Sequence, residues 1–284
     1  MPPSKSAASK GVKMLQNLHT HTVFCDGKDT PEEMILAAIS KGFDSLGFSS
    51  HAPTEIKDDC EMTDVSEYIK CISELKNKFS DRIKLHLGIE LDYYSKNLEY
   101  IDRFDYSISS AHYAVLKNGT VVSYDHSAKR TEKHIKEDFS GDGLAYARSY
   151  FETVSSLEPK TDISFAGHFD LVTKFSEIRP DLFDTRSAEY RSYAIDALRT
   201  LSHKFDFFEL NTGAISRGMR QTPYPAPFIL DEMRKLGIKL VISSDCHRKE
   251  MLDCGFAEAR EYAKAHGFSE LYFLNESGFV GQKI

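Results

Sequence analysis

Residues 14–27 read MLQNLHTHTVFCDG, a short apolar run that leads directly into two histidines and then an aspartate. The run at residues 14–18 is typical of a β-strand, and His19 and His21 follow at its carboxyl end. Because side chains two positions apart in an extended chain share a face, both imidazoles point the same way and can bind one metal ion. Asp26 is expected either to form a plain turn with Gly27 or to bind a second ion.

Short β-branched or aromatic runs alternate with amphipathic stretches through the rest of the chain. This alternation is typical of repeated βα units, which build a parallel sheet covered by helices. Strands are predicted at residues 14–18, 45–48, 83–89, 106–108, 163–165, 205–210 and 239–242, with a weaker eighth at 271–274. Helices are predicted at residues 31–40, 64–79, 144–157, 187–201, 227–236 and 256–265. The pattern favours an α/β barrel in one domain over residues 14–284.

The interval between the predicted strands at 106–108 and 163–165 is unusually long. Asn118 and Gly119 lie in it between two runs with strand character, which predicts a hairpin with a type I′ turn. The hairpin and the polar segment 125–143 are expected to form an excursion over one face of the barrel. Long βα loops on that face usually shape the substrate site.

Length, charge and composition exclude several classes of protein. The 284 residues suffice to bury a large core, and the net charge of −7 offers no broad basic surface to nucleic acid. No apolar run approaches the length of a membrane span, and residues 1–13 lack the apolar stretch of a signal peptide. We therefore expect a cytoplasmic protein with a flexible leader at residues 1–13. Five scattered cysteines fit reduced thiols rather than a disulfide framework.

Histidines and carboxylates follow most of the predicted strands at the point where each strand ends. Beyond residues 14–27, this set comprises His51, Glu90, His112, His168, Asp245 and His247. The carboxyl ends of parallel strands in a barrel face one side, so these residues are expected to meet there. Glu90 lies on the opposite face of its strand from Leu87 and Ile89, where its carboxylate can bridge two ions. Imidazole and carboxylate together suit zinc, manganese or iron, so the sequence predicts a cluster of divalent ions.

A cluster of divalent ions favours hydrolysis over other chemistry. Neighbouring ions activate a shared water and stabilise the attacking and leaving oxygens of a displacement at phosphorus. The chain has no nucleophilic-serine elbow, Walker A loop or dinucleotide-binding glycine motif. A phosphate monoester also needs cationic side chains, and the loops after the predicted strands offer Arg217 first, then Lys174 and Arg220. Arg248 is a weaker candidate because it can point outward.

Six segments, taken in order, resemble a known family. NLHTHTVFCDG, SSHAP, GIELD, SSAHY, GHFD and SSDCH are similar to the PHP (polymerase and histidinol phosphatase) superfamily over nearly all of residues 15–250. The segment ELNTG at 209–213, followed by Arg217 and Arg220, resembles its stand-alone histidinol-phosphatase branch. Many members have histidine where this chain has Asp26. The resemblance implies a distorted (β/α)7 TIM-like barrel in a single domain.

The resemblance also implies up to three divalent metal ions, expected to be zinc, manganese or iron. By position, the first ion would be held by His19, His21, Glu90 and Asp245, the second by Asp26, His51 and His247, and the third by Glu90, His112 and His168. Asp26, Glu90 and His247 are the residues expected to act in catalysis.

The function that the resemblance implies is hydrolysis of L-histidinol phosphate to L-histidinol and phosphate in histidine biosynthesis. The leaving group would be recognised by loop residues such as Tyr113, Glu55 or Tyr224, and its proton could come from a metal-bound water, Asp26 or a nearby histidine. Two alternatives stay open. The same metals could cleave another small phosphate ester or a nucleic-acid 3′ end, or the barrel could bind metal without catalysis. The oligomeric state has no signal in the sequence.

Overall fold

The computed structural model describes residues 14–56 and 60–284, so the flexible leader expected at residues 1–13 lies outside the described residues. The strands of the described chain are β1 (Gln16–Asn17), β2 (Ser45–Phe48), β3 (Lys84–Asp92), β4 (Tyr106–Ser110), β5 (Tyr113–Val115), β6 (Val121–Ser123), β7 (Ser164–Ala166), β8 (Phe207–Asn211), β9 (Lys239–Ser243), β10 (Glu270–Asn275) and β11 (Gly278–Lys283). The α-helices are α1 (Pro31–Ser40), α2 (Val65–Lys78), α3 (Ala128–Asp138), α4 (Gly143–Ser155), α5 (Ala188–Ser202), α6 (Gly213–Ser216), α7 (Pro227–Lys235) and α8 (Phe256–Ala265). None of the helices in these two described ranges combines the length and the apolar composition that a bilayer span needs.

Seven of the strands form one parallel sheet in the order β1-β2-β3-β4-β7-β8-β9. Its two edges approach each other where Thr20 pairs with Cys246, and the His21 N–H donates to the Cys246 carbonyl at 2.9 Å. The sheet therefore closes nearly into a barrel, and the helices that connect its strands surround it. The predicted α/β class and the distorted (β/α)7 barrel are confirmed.

The helices begin where their capping residues predict. The Thr30 side chain accepts from the Glu33 N–H at 3.3 Å, and the Glu33 carboxylate accepts from the Thr30 N–H at 2.9 Å, which completes a capping box at the start of α1. Helices α2, α4, α5, α7 and α8 also lie within two residues of their predicted positions. Helix α3 lies in the segment 125–143, where only polar loop was expected. Its buried side chains are Thr131, His134 and Ile135, too narrow an apolar stripe for the sequence to reveal a helix.

The hairpin around Asn118 and Gly119 is present as β5 and β6, but the predicted type I′ turn is wrong. A type I′ turn needs positive φ at both central residues, and only Gly119, with φ of 84°, has it. The Leu116 N–H donates to the Thr120 carbonyl at 2.9 Å, so three residues rather than two close the loop. Gly119 takes the left-handed position that such a three-residue loop requires.

The weak eighth strand forms, but it lies outside the barrel sheet. As β10 it pairs antiparallel with β11. The Gln16 side chain both donates to the Leu274 carbonyl and accepts from the Leu274 N–H, each at 2.8 Å. This hairpin covers the amino-terminal end of the barrel, where its apolar side joins a buried interior cluster of Leu18, Tyr106, Ile108, Phe165, Val241 and Leu274.

Tyr106 fills the barrel interior beside two glycines. A Cβ at Gly47 would lie 2.3 Å from the Tyr106 hydroxyl, and a Cβ at Gly88 would lie 2.1 Å from the ring. The Tyr106 hydroxyl donates to the Leu18 carbonyl at 2.5 Å, directly before His19. The aromatic ring therefore supports the strand that leads into the first two histidines.

Gly88→Ala is expected to destabilise the protein by about 1–3 kcal/mol, because the new methyl group overlaps the ring of Tyr106 in a closed interior. The measurement is the free energy of unfolding from urea titration. Gly281→Ala on β11 is the matched control, since its Cβ would meet a Glu270 carboxylate oxygen at 2.9 Å and that flexible side chain can turn away. Equal stability of the two variants would contradict this description of the core.

His86 on β3 gives the stability a dependence on pH. The ring is buried, and burial lowers the pKa of His86 to about 4 from its ordinary value of 6.5. The unfolded chain therefore binds the proton first, so stability is full above about pH 6.5 and is lost as the pH falls towards about 4. Between pH 7 and pH 5 the expected loss from this residue is about 2 kcal/mol. His86→Gln should remove that part of the slope in urea titrations at the two pH values, and identical slopes in both proteins would refute the assignment.

Candidate metal centre

A cavity of about 180 Å³ opens at the carboxyl ends of the barrel strands. The predicted site residues that line it are Asp26, His51, Glu90, His112, His168, Lys174, Arg217, Asp245 and His247. His19 and His21 are 0% exposed and lie beneath these side chains, in contact with Glu90 and Asp245. The fold thus brings all nine predicted metal ligands into one place.

The carboxylate of Glu90 is the centre of this cluster, and it is 1% exposed. Its Oε2 lies 3.0 Å from His51 Nδ1 and 3.1 Å from His19 Nε2. Its Oε1 lies 3.0 Å from His168 Nε2 and 3.4 Å from His112 Nε2. Each histidine follows a different strand, so a single carboxylate ties four strand ends together. Both oxygens face ring nitrogens, as a bridging carboxylate requires.

Asp245 and Asp26 complete the cluster on the side of His21. Asp245 Oδ1 lies 3.2 Å from His21 Nε2, and Asp26 Oδ2 lies 2.9 Å from His247 Nε2. Asp245 has a φ of 46°, a left-handed conformation that costs a residue with a side chain about 1–2 kcal/mol. Arg217 holds this conformation, since its Nη2 donates to the Asp245 carbonyl at 3.0 Å and to Oδ1 at 3.2 Å.

Asp26 reaches the cluster from a tight turn. The N–H groups of Cys25 and Gly27 both donate to the Thr22 carbonyl, at 3.0 and 3.1 Å. A Cβ at Gly27 would lie 2.4 Å from the His21 carbonyl carbon, so only glycine lets the backbone fold back this closely. The plain turn that the sequence allowed is present, and it also brings Asp26 Oδ1 to 3.7 Å from His21 Nδ1.

The donor atoms of the cluster fit divalent cations. Five atoms of the clustered side chains are buried without a hydrogen-bond partner in the described parts of the chain, namely His19 Nε2, His21 Nε2, Asp26 Oδ1, Glu90 Oε2 and His168 Nδ1. Such atoms cost several kcal/mol unless a ligand satisfies them, and neutral imidazole with carboxylate is the donor set that zinc, manganese and iron take. Four groups have all their donor atoms within 4.8 Å of one another: His21-Asp26-His51-His247, His19-His21-Asp245, His19-Glu90-His168 and His51-Glu90-His112.

These groups overlap with the ligand sets that the resemblance implied, without reproducing them. The resemblance gave His21 to the first ion only, whereas the donor distances also place His21 with Asp26. They likewise place His51 with Glu90 as well as with Asp26, because its Nδ1 lies 3.0 Å from Glu90 and its Nε2 lies 3.8 Å from Asp26. The nine residues therefore form one continuous network of donors rather than three separate sets.

The protonation states of the cluster are set by opposing charges. Burial would raise the pKa of Glu90, but the imidazoles of His19, His51 and His112 hold it well below its usual range. Burial, together with the charges of His247 and His51, lowers the pKa of His21 to about 3. Glu90 is therefore ionised and His21 neutral, which are the forms that bind a metal ion.

Two of the three predicted phosphate-binding cations line the cavity. Lys174 Nζ donates to the Asp125 carbonyl at 2.8 Å and to the Asp125 carboxylate at 3.2 Å. Arg217 Nη2 lies 2.9 Å from His247 Nδ1, beside its bonds to Asp245. Both cations therefore stand next to the clustered donors, where a phosphate group bound there would meet them.

Arg220 does not reach this cavity, and the expectation that it binds the substrate phosphate is corrected. Its guanidinium is buried against Asp170, with Nη1 3.9 Å from Asp170 Oδ2, and it stacks on the Tyr224 ring at 4.5 Å. The sequence could not show this because Asp170 lies far away along the chain. Arg248 is exposed and does not line the cavity, in line with its lower rank.

The side chains around the cavity mouth differ from those expected to bind the leaving group. Tyr113 lines the cavity, whereas Glu55 is exposed outside it and Tyr224 is buried against Arg220. Asp125 lines it and was not anticipated. Burial would raise the pKa of Asp125, but the charge of Lys174 holds it at about 2. An ionised carboxylate thus lines the cavity.

Glu209 on β8 is a further site residue, and sequence reasoning assigned it no role. Its carboxylate is 0% exposed and accepts from His19 Nδ1 at 2.6 Å, from the His168 N–H at 2.6 Å and from the Ser243 hydroxyl. Burial would raise the pKa of Glu209, but His19 holds it below its usual range. The bond to Nδ1 leaves His19 Nε2 for a cation and fixes the ring. The sequence feature that could have indicated this role is a carboxylate between the apolar residues Phe208 and Leu210 in a buried strand.

A (β/α) barrel with imidazoles and carboxylates gathered at the carboxyl ends of its strands is the architecture of metal-dependent hydrolases. The chain belongs to the PHP domain family, whose model matches residues 17–213. Seven of the nine clustered residues fall inside the match, and Asp245 and His247 lie beyond it.

Known relatives agree with the family and with the fold. Histidinol-phosphatase from Bacillus subtilis is 27% identical over 265 residues, which cover 84% of this chain and 95% of the relative. The solved structure of a putative histidinol phosphatase from Listeria monocytogenes matches with a TM-score of 0.70 and 24% identity, covering 86% of this chain and 99% of that one. That of histidinol phosphate phosphatase from Lactococcus lactis matches with a TM-score of 0.67 and 21% identity, covering 94% and 98%.

Glu209→Gln is expected to weaken the binding of zinc or manganese about 10–100-fold, because an amide cannot accept from both His19 and the His168 N–H. The measurement is competition with a chromophoric chelator, together with elemental analysis of the purified protein. Glu158→Gln is the matched control, since Glu158 pairs with Lys204 at the surface. Metal affinity and content unchanged in Glu209→Gln would rule out this positioning role.

Proposed function

We propose that this protein is a cytoplasmic metal-dependent phosphomonoesterase that hydrolyses L-histidinol phosphate to L-histidinol and phosphate. The observation that carries the proposal is the clustering of six histidines, two aspartates and Glu90 at a cavity that is also lined by Arg217 and Lys174. Residues 14–284 act as one phosphoesterase barrel in this proposal.

The choice of substrate rests on relatives and on the shape of the site. The Bacillus subtilis relative is named Histidinol-phosphatase and aligns along most of both chains. The Lactococcus lactis enzyme was solved as a complex with zinc, L-histidinol and phosphate. The small cavity and the net charge of −7 favour a small phosphate ester over a nucleic-acid 3′ end.

The clustered residues would hold divalent ions, proposed to be three and to be zinc, manganese or iron. The residues proposed as ligands are His19, His21, Asp26, His51, Glu90, His112, His168, Asp245 and His247. Bound divalent ions supply Lewis-acid stabilisation of the charge that develops on the transferring phosphoryl group. Glu90 would bridge two ions, because each of its oxygens faces a different pair of histidines.

Arg217 and Lys174 bind the phosphate oxygens of the substrate. The guanidinium of Arg217 uses Nη1 and Nη2 to hold Asp245, and its side chain is 29% exposed, so further N–H groups can face the phosphate. Lys174 is anchored by Asp125 and adds a point charge. Together they orient the ester for attack by water on the phosphorus atom.

Asp26 and His247 take part in protonating the leaving group. Together with His51 they are the most open members of the cluster, with side chains 27% and 20% exposed against 1% for Glu90. When water attacks phosphorus and the bond to the ester oxygen breaks, the water gives up a proton to Asp26 Oδ2, and that proton passes to the leaving alkoxide. His247 Nε2, 2.9 Å from Asp26 Oδ2, holds the carboxylate in position. The products are then L-histidinol and phosphate.

The purified protein is expected to release phosphate from L-histidinol phosphate when supplied with manganese, zinc or iron, with a kcat/KM about 10²-fold or more above that for p-nitrophenyl phosphate. Glu90→Gln should lower kcat at least about 10³-fold by removing the bridging carboxylate. Glu152→Gln, which changes an exposed carboxylate paired with Arg148, should leave the rate unchanged. No preference for L-histidinol phosphate would defeat the substrate assignment, and full activity in Glu90→Gln would defeat the proposed site.

A further inference from the structure

A second cavity, of about 310 Å³, lies beside the segment that follows β7. Its walls come from Thr173 to Glu177 in that segment, from the start of α5 and from the first turn of α7. Thr173 lines this cavity while the next residue, Lys174, lines the metal centre, so one short segment separates the two. Its volume is at the lower end of the roughly 300–1,000 Å³ of small-molecule sites.

Arg220 is the side chain that indicates which kind of ligand this cavity can bind. The side chain lines the cavity and is 5% exposed, and its Nε has no hydrogen-bond partner anywhere in the described ranges. Nη1 donates to the Thr173 hydroxyl and forms an ion pair with Asp170 Oδ2 at 3.9 Å, and Nη2 lies 3.5 Å from the Thr222 hydroxyl. Within the described chain Nε is the guanidinium donor left over, since Glu177 Oε1 is 3.9 Å away and beyond hydrogen-bonding distance. A buried charged donor without a partner costs about 1–3 kcal/mol or more, and an anionic ligand would offset that cost.

The surroundings of Arg220 favour an anion. Arg191 lines the same cavity and stacks on the ring of Phe228 at 4.4 Å. Helix α7 begins at the cavity, where its N-cap residue Ala226 offers no capping side chain, and the Ala226 N–H donates to the Asp170 carboxylate at 3.0 Å. The charged residues that line the cavity are Arg186, Arg191, Arg220 and Glu177. Arg186 pairs with Asp184 and Arg220 with Asp170, so among the described residues Arg191 is the arginine of this wall left for an added anion, together with the free Nε of Arg220.

The rest of the wall is apolar and aromatic. Pro227 and Phe228 come from α7, and Tyr190 comes from α5. The Tyr190 hydroxyl is buried and also lacks a partner among the residues that the structure describes. Guanidinium groups match the planar oxygen pair of a carboxylate, and flat apolar walls match a ring.

We propose that this cavity binds a small aromatic carboxylate, with the carboxylate on Arg220 and Arg191 and the ring against Phe228 and Tyr190. The site is distinct from the metal centre and does not depend on the proposed phosphatase activity. A phosphate ester is a poorer match, since its strongly hydrated dianion would lose water against apolar walls.

The test uses the metal-loaded full chain and 4-fluorobenzoate as the probe, with binding followed by the ¹⁹F NMR resonance. Saturable binding is expected, and Arg191→Gln should raise Kd at least about 10-fold by removing one guanidinium. Arg220→Lys should do the same, because lysine keeps the charge without the planar fork. Arg199→Gln is the matched control, because Arg199 lies in the last turn of α5, the helix that also carries Arg191, and pairs with Glu232 at 3.1 Å. This variant should change Kd less than about twofold.

Arg217→Gln distinguishes the two cavities, because the metal centre also attracts anions. If the probe binds as proposed, this variant keeps Kd within about twofold. Loss of binding in Arg217→Gln would place the probe at the metal centre and overturn the proposal. Absence of saturable binding, or an unchanged Kd in Arg191→Gln, would overturn it as well. Should Arg220→Lys fail to fold because Asp170 loses its partner, the result with Arg191→Gln decides alone.

Discussion

A carboxylate buried among imidazoles is the constraint on which this molecule depends. An ionised group as enclosed as Glu90 is tolerated only when donors or opposite charges surround it. The groups that do so come from four strand ends, so Glu90 is compensated only in a correctly closed barrel. Glu209 is a second buried carboxylate of this kind, one layer deeper, and it accepts hydrogen bonds from the His19 ring and from the His168 backbone N–H. Assembly of the fold and assembly of the site are therefore one event.

The barrel interior has to carry that cluster without gaps. Large and small residues alternate there, with Tyr106 placed where Gly47 and Gly88 leave room for it. The hydroxyl of Tyr106 anchors the strand before His19, so packing below the site also fixes the site. Within the site, backbone strain lies at the rim, where Asp245 adopts a left-handed conformation that hydrogen bonds from Arg217 stabilise. Dense packing below the site and a strained backbone at its edge suit a site that holds metal ligands in fixed positions and stays open to substrate.

Much of this arrangement could be predicted from the sequence, because it follows from the regular geometry of parallel strands. The alternation of strands and helices predicted the barrel, and the common direction of strand ends predicted where the histidines and Glu90 would meet. What depends on distant partners could not be predicted: Arg220 faces the buried Asp170, and Glu209 owes its role to His19. Helix α3 escaped notice because its apolar stripe is narrow, and the turn at Gly119 because loop closure, rather than residue type, selects it.

The contacts between β1 and the last third of the chain affect how the protein folds during synthesis. Asn17 bonds to the Leu252 carbonyl and Gln16 to Leu274, contacts that span 235 and 258 positions. On the ribosome the first strand emerges long before its later neighbours, so it waits with exposed edge groups until synthesis is almost finished. Non-local closure of this kind raises the contact order of a fold, which slows folding.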